Sequence, residues 1–563
     1  MKKTTLILSL LSILMMSCNE SWLDTVNENQ LDASSFMKTE KDLVLSVNAA
    51  YTPLGHFGMY GNVYFFVFNA LDPYIWHENP NSGFDVLKIS KNDYNLQIWS
   101  TLYVGLFRTS DILAKMPQME NIVEPGLYAR YKAQVRALRG LYYFYLLTIF
   151  DRPYYYDETN VPYDPNTIFS NSSQETFWNK IEEDLRFAAF NLPSVWGSAD
   201  KGRITAGGAD AMLGKALLFK YYHYYTRFGK ADTDEARANL DSAKVAFERV
   251  INNPAYDLMY PEDKTSKEHY YAALLSNSSY LDIPVGDVIY DAENNKESLW
   301  EVQYNDDDRG ATGALPAWQW GGNRLYEFFS PLGYRNHEID PNLWFEFEEL
   351  PAGKHPAGYR RDPRAHATCY LDGDLLDWRK GPDYKFQGTA HTKETVKNFK
   401  LYPANLPPIS DLDNGGRNTT ALGLKKYYYP QFTEKRSPMC APQNIRIIRY
   451  ADVLLMYAET LLQLNGDANG DGLIALNKVR DRAGMSPIAA LTYDAIRHER
   501  TVELATEGHH FFDIIRWQFD DKFNIDLNAL FRGYFIYPKN LYFPIPQTEI
   551  DLNKGSLVQN PGW

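Results

Sequence analysis

Cysteine is scarce in this chain: three in 563 residues cannot build the disulfide framework that staples small secreted domains. Cys18 has its own explanation below. Cys369 and Cys440 are then either buried thiols, the usual state of free cysteine and the favoured reading, or one pair. Positive charge is short as well, with 57 Lys and Arg against 71 Asp and Glu and a formal net charge of −14. A phosphate backbone demands a basic surface, so no nucleic-acid partner is expected. Apolar runs of spanning length are missing throughout. Only the N-terminus comes near, where Lys2 and Lys3 precede an apolar stretch from Leu6 to Met16. Residues 1–17 read as a secretory signal segment, too short to stay as a membrane helix.

The signal segment ends Leu14-Met15-Met16-Ser17-Cys18, which resembles a bacterial lipobox with Met15 where leucine is commoner. Cleavage there exposes Cys18 for acylation. Each buried methylene of the lipid contributes about 0.8 kcal/mol, so several acyl chains hold a protein on a membrane. The expectation is a chain tethered to a membrane and not embedded in it.

Tyrosine is abundant, 41 residues against 35 glycines. Its apolar ring and polar tip suit wet binding surfaces, although many such rings serve only helix packing. Helical spacing dominates the first half. Thr39 is placed to cap a helix with Leu43, Val47 and Ala50 on one face. Tyr131 to Ile149 is apolar on nearly all faces and should be buried all round. Phe177, Ile181, Leu185 and Ala188 form another stripe, and Ile447, Ala451, Leu454, Ala458 and Leu461 a late one. Trp99 sits inside an apolar stripe and reads as core. Helix pairs with small residues at their contacts look like tetratricopeptide-type hairpins of irregular length. From about Pro261 to Pro442 the chain is rich in Gly, Pro, Asp and aromatics and poor in helical spacing. A loop-rich insertion of that size is usually functional.

Motifs for chemistry mostly fail. His498-Glu499 begins a zinc-protease pattern, but Val502 occupies the second histidine's place. Asp467, Asn469, Asp471 and Gly472 match the first positions of a calcium loop, yet Lys478 stands where a bidentate glutamate belongs. That stretch reads better as a polar turn between helices. Gly208 to Lys215 is one residue too long for a phosphate loop and lies inside a helix. No cofactor is expected. Glu503 and Glu507, four apart, approach the roughly 5 Å carboxyl spacing of a retaining glycosidase. They share one helix face, however, and so do not flank a bond from opposite sides. A surface glycoside hydrolase is therefore the weaker alternative, as is a helical-repeat peptide-binding lipoprotein.

The stretch from Ile496 to Trp517, IRHERTVELATEGHHFFDIIRW, organises the rest. Arg500, Glu503 and Glu507 share a helix face, Gly508 offers the helix stop, and Arg516 follows on a second segment. These four residues are expected to form a structural ion-pair corner. Together with Arg449-Tyr450-Ala451, Tyr457-Ala458-Glu459, Asn477, Val479-Arg480, Arg482-Ala483-Gly484, Glu499-Arg500, Asp513, Arg516-Trp517 and Asn560-Pro561-Gly562, this order resembles the RagB/SusD family. His510 departs from it, standing where that family usually has arginine.

The resemblance implies a mainly α fold, a tetratricopeptide-like helical-pair scaffold with long loop-rich insertions. Its parts would be the signal segment 1–17, an N-terminal helical part 18–260, a glycan-facing insertion 261–442 and a C-terminal helical part 443–563. It also implies an outer-membrane lipoprotein, facing the cell exterior, that captures a glycan without cleaving it and hands it to a SusC-like, TonB-dependent transporter. Sugars offer C–H faces that stack on aromatic rings and hydroxyl edges that need polar side chains. Two stretches supply both. One is DPYIWHENPN, with Trp76 and Asn79. The other runs from Tyr304 to Asn323, where Trp318 and Trp320, if extended, face one way about 7 Å apart. Trp76, Asn79, Tyr304, Trp318 and Trp320 are the candidate glycan contacts.

Overall fold

In the computed structural model, the described residues are 37–77, 87–89, 93–279, 282–305, 322–325, 329, 337–370, 423–427, 441–466 and 470–563. Seven helices come first: α1 (Glu40–Gly55), α2 (Val63–Ala70), α3 (Tyr94–Lys115), α4 (Pro125–Phe150), α5 (Gln174–Asn191), α6 (Ala206–Lys220) and α7 (Asp234–Ile251). Local chemistry starts them. The Thr39 hydroxyl accepts from the Asp42 amide while the Asp42 carboxylate accepts from the Thr39 amide, a reciprocal capping box. Glu124 caps α4 through the amides of Gly126 and Leu127, with Pro125 at the first helical position. Ser173, Thr205 and Thr233 cap the next three.

From α3 onward, each of these helices packs against the next, and α7 then packs against α11 (Tyr450–Asn465). That is the stacked-pair scaffold expected from the sequence. Close approach needs glycine at two crossings. A Cβ on Gly105 of α3 would lie 2.5 Å from the Tyr142 ring, and one on Gly214 of α6 would lie 2.4 Å from Phe247. α4 is buried from Ala133 to Phe150 with Arg136 only half-buried. Burying such apolar faces supplies the main stabilisation, about 25 cal/mol per Å². Trp99, Trp178 and Trp517 are wholly buried, as are Tyr142, Tyr143 and Tyr222, so much of the tyrosine excess is core.

Short elements fill the middle: α8 (Lys267–Leu275), α9 (Pro341–Glu346) and α10 (Pro363–Thr368). Among the described residues the strands form four antiparallel ribbons. β1 (Ile75–His77) pairs with β5 (His337–Ile339), and β2 (Ile283–Val285) with β3 (Val288–Tyr290). β4 (Ser298–Val302) pairs with β8 (Ile445–Arg449), and β6 (Cys369–Tyr370) with β7 (Gly423–Leu424). β8 runs straight into α11, followed by α12 (Asp471–Arg482), α13 (Tyr493–Glu503) and α14 (His510–Trp517). The β4–β8 ribbon ties the middle of the chain to its C-terminal helices.

One boundary differs from expectation. α13 ends at Glu503, not at Gly508, and Thr506 already takes a left-handed φ of 67°. Lys426 and Arg449 draw the carbonyls of Ala505 and Glu503 into hydrogen bonds of 2.9 and 2.8 Å, which favours a turn there over another helical turn. Gly508, with φ of 76°, serves that turn. Among the described residues, no helix is long and apolar enough to cross a membrane.

Candidate functional site

A cavity of about 750 Å³ opens beside the C-terminal end of α1, within the size range of small-ligand sites. Its walls are α1 from Asn48 to Gly55 with His56, the turn from Ala199 to Arg203, and the chain from Trp300 to Asn305, with Arg108 reaching in from α3. Each wall has a local cause. The Asn444 side chain fixes the end of β4 by accepting the Tyr304 amide at 2.8 Å. Gly202, at φ of 93°, allows the turn to press against Gln303, where a Cβ would lie 2.4 Å from Cδ.

Most of the polar lining is committed. Arg203 donates to Asp200 at 2.7 Å, Gln134 at 3.1 Å and Asn48 at 2.8 Å. The Tyr51 hydroxyl donates to Gln134 at 3.1 Å and accepts from the Ile204 amide at 3.3 Å. Glu301 accepts from the Asn294 amide and the Asn444 side chain, both at 3.0 Å. Behind the wall, Glu293 accepts the Asn444 amide at 2.6 Å. Burial, seconded by the Glu301 charge, pushes the Glu293 carboxyl up to about 8. Burial lowers His56 to about 4, so it is neutral at physiological pH. The Tyr304 hydroxyl is buried and finds no hydrogen-bond partner among the described residues. Burial holds it well above the ordinary phenol range.

Among the described residues, Tyr304 is thus the one sequence-nominated residue on the cavity wall. Trp76 lies in β1 opposite Glu338, and its ring lies outside the described residues, as do Asn79, Trp318 and Trp320. Of the residues on either side of the sequence segment that holds the two tryptophans, Asn305 lines the cavity, and the Asn323 amide donates to the Ala441 carbonyl at 2.8 Å. Both ends rest on the turn between α1 and α2. Tyr304 borders Gly55, the Arg324 amide donates to the Gly61 carbonyl at 3.1 Å, and its guanidinium sits over Phe57. Asn48, Thr52, His56, Arg108 and Asp200 to Arg203 escaped sequence reading. They come from three distant segments with no shared motif, and only the packing of α1 against α3 and β4 unites them. Cys18, Cys440, Asp467 and Asn469 lie outside the described residues, Asp471 opens α12, and Cys369 is buried in β6. Among the described residues no cluster suited to a metal ion occurs.

The acids of the organising stretch sit elsewhere. Arg449, at the end of β8, donates to Glu297 and Glu503, both at 2.7 Å, and to Glu507 at 2.8 Å. Arg482 and Arg364 also reach Glu503, and Lys426 reaches Glu507 at 2.9 Å. Burial works against ionisation of Glu503, but Arg482, Arg449 and Arg364 outweigh it and hold the carboxylate well below its usual range. Glu507 is held at about 2, its burial outweighed by Arg449 and Lys426. Neither glutamate pairs with Arg516, as the sequence order had suggested. The cations of β8, α10 and α12 reach them first, while Arg516 pairs with Glu459 and Asp513. Arg500 joins the two segments through Asp513 at 2.9 Å and also meets Asp452 at 2.8 Å. Lys215, from the near-phosphate loop, pairs with Asp452 at 3.2 Å inside α6. His510 takes Asp72 at 2.9 Å and stacks on Tyr74. Glu503 and Glu507 are therefore ionised, enclosed and unable to act as proton donors.

His498 gives this region a pH signature. Burial alone would lower its pKa, yet Glu346 and Glu348, at 3.7 and 3.4 Å, raise it to about 9. Glu348 is in turn held at about 2. The carboxylate side of this contact is present above about pH 4.5 and lost as pH falls through about 2. The histidine side is fully present below about pH 6.5 and lost as pH rises through about 9. Thermal midpoints should therefore decline between about pH 6.5 and 9, and His498→Gln should flatten that decline. An unchanged slope in the variant would remove His498 as its source.

Residues 296–563 match the SusD family model. A SusD-like protein of Bacteroides ovatus is 26% identical over 557 residues, covering 95% of this chain and 86% of that protein. The C-terminal part of the chain, residues 296–563, is thus SusD-like. A solved SusD homolog from Bacteroides thetaiotaomicron shares the fold at a TM-score of 0.70 and 19% identity, covering 95% of this chain and all of that one. A surface glycan-binding protein A from the same species, solved in complex with laminarihexaose, matches at a TM-score of 0.65 and 22% identity over 93% of this chain and 99% of that one. A laminarin-binding SusD-like protein matches at 0.68 and 23% identity, over 93% of this chain and the whole of that one. The SusD-family match covers α11 to α14 and every cation of the Glu503 cluster. The cavity, in contrast, draws Asn48 to Arg203 from outside the matched residues.

Proposed function

We propose that this protein is a cell-surface glycan-binding lipoprotein that captures an oligosaccharide or polysaccharide and leaves its bonds intact. The observation that carries this is the cavity, with Tyr304 on its wall among asparagine, threonine and arginine side chains. An aromatic ring beside a polar cleft matches the two faces of a sugar. The fold is shared with proteins named for binding laminarin and laminarihexaose, which supports a glycan as ligand. Binding without cleavage is supported by the carboxylates. Asp200 and Glu301 line the cavity; Asp200 is tied to Arg203, and Glu301 to Arg446 and to amides of Asn294 and Asn444.

In this reading Cys18 carries the lipid anchor at the outer membrane, residues 261–442 carry the glycan-facing side, and a SusC-like, TonB-dependent transporter receives the ligand. A screen on an array of polysaccharides and oligosaccharides, followed by incubation with each hit, tests it. The expected result is retention of at least one glycan with no new reducing ends. Release of reducing ends would make the protein a hydrolase, and no retention of any glycan would remove the binding role.

A further inference from the structure

The charge of the cavity runs against that of the molecule. A chain of net charge −14 lines it with three cations, Arg108, Lys201 and Arg203, and two carboxylates, Asp200 and Glu301. Both carboxylates are already neutralised. Asp200 pairs with Arg203 at 2.7 Å, and Glu301 pairs with Arg446, behind the wall, at 3.3 Å. Arg108 has no carboxylate partner among the described residues, and Lys201 forms no ion pair among them, although its charge is felt at Glu293 behind the wall. Lys201 is exposed at the rim, and Arg108 is half-buried in the wall.

The way Arg108 is held matters more than its charge alone. One nitrogen, Nη1, donates to the Ala49 carbonyl at 2.9 Å and to the Thr52 hydroxyl, which fixes the guanidinium against the end of α1. The Nε–Nη2 edge has no partner among the described residues. That edge is the one through which a guanidinium grips a carboxylate or sulfate by two parallel hydrogen bonds. Its charge already reaches across the cavity, since after burial it is the Arg108 field that depresses His56.

We propose that this cavity takes an anionic sugar residue, a uronate or a sulfated sugar, with Arg108 as its two-bond anchor and Lys201 as a second cation at the rim. This rests on the glycan-binding reading and narrows its ligand class. Neutral hydroxyls would leave the Arg108 charge uncompensated in a partly dry site, whereas an anion satisfies it.

The test uses the mature full-length protein on an array carrying uronate-containing, sulfated and neutral oligosaccharides, with hits measured by calorimetry at low and high salt. An anionic hit is expected, weakened by salt. Arg108→Gln keeps a donor for Ala49 and should weaken that hit roughly ten- to hundredfold, far more than it weakens any neutral hit. Lys201→Gln, on an exposed residue that folding does not need, should weaken it a few-fold. Which anionic arm binds tells carboxylate from sulfate. Neutral hits alone, or an anionic hit indifferent to both variants, would overturn the anionic assignment and leave glycan binding standing. An array with no hits of any class would bring down the glycan reading, and this assignment with it.

Discussion

Arg449→Met is expected to cost about 3–5 kcal/mol of stability, the usual penalty for removing one member of a buried ion cluster. The guanidinium touches Glu297, Glu503 and Glu507 at once. Methionine fills much of the volume but takes its cation from four carboxylate oxygens, Oε1 of Glu297, Oε1 of Glu503 and both of Glu507. Arg482 and Lys426 remain for Glu503 and Glu507, so the loss is large without being total. Because β8, Glu297 just before β4 and the end of α13 all meet on this side chain, the cost should appear as loosening of the C-terminal helices against the β4–β8 ribbon. Chemical denaturation measures it. Lys264→Ala is the control, since its pair with Asp481 is half exposed on both sides and is worth at most about 1 kcal/mol. Equal small shifts for both variants would mean the cluster contributes no more than surface charge.

The second large effect falls on the ligand. Trp318→Ala and Trp320→Ala should each cost about 2 kcal/mol of glycan affinity, roughly thirtyfold, as for a stacked aromatic anchor at a binding centre. The double variant should lose measurable binding. Two tryptophans one residue apart share a face when the chain is extended, so their losses should be less than additive if one sugar spans both rings. The frame should not notice. The segment's ends are held by Asn444 on Tyr304 and by Ala441 on Asn323, neither of which involves the rings. Circular dichroism and thermal midpoint unchanged, with affinity gone, is the expected pair of results. Full affinity in the double variant would move the site away from this segment.

The helical frame was largely legible because its signals are local. The spacing of Leu43, Val47 and Ala50 behind Thr39 names α1 and its cap, and the apolar run after Tyr131 names α4. The true start of α4 at Pro125 was also there to read in Glu124-Pro125, a cap followed by a first-turn proline. What spacing cannot hold is partner choice. Glu503 and Glu507 look ready for Arg516 in sequence, yet Arg449 lies 54 residues from Glu503 and takes it first. The same tertiary pull on the Glu503 and Ala505 carbonyls ends α13 early. The cavity was the least legible feature. Tyr304 had an aromatic, loop-edge signature, whereas Arg108 reads as one more charged residue on a helix. Only the fold sets it beside Thr52 and leaves one edge of its guanidinium unused.

Affinity electrophoresis asks the central question most directly: whether this chain grips a sugar at the Tyr304 rim and does nothing further to it. In gels containing a polysaccharide identified by the screen, the wild-type protein should be retarded, the Trp318→Ala/Trp320→Ala and Tyr304→Ala variants should run freely, and the polymer recovered from the wild-type band should keep its original length. Retardation that persists in those variants, or a shortened polymer, would contradict the account.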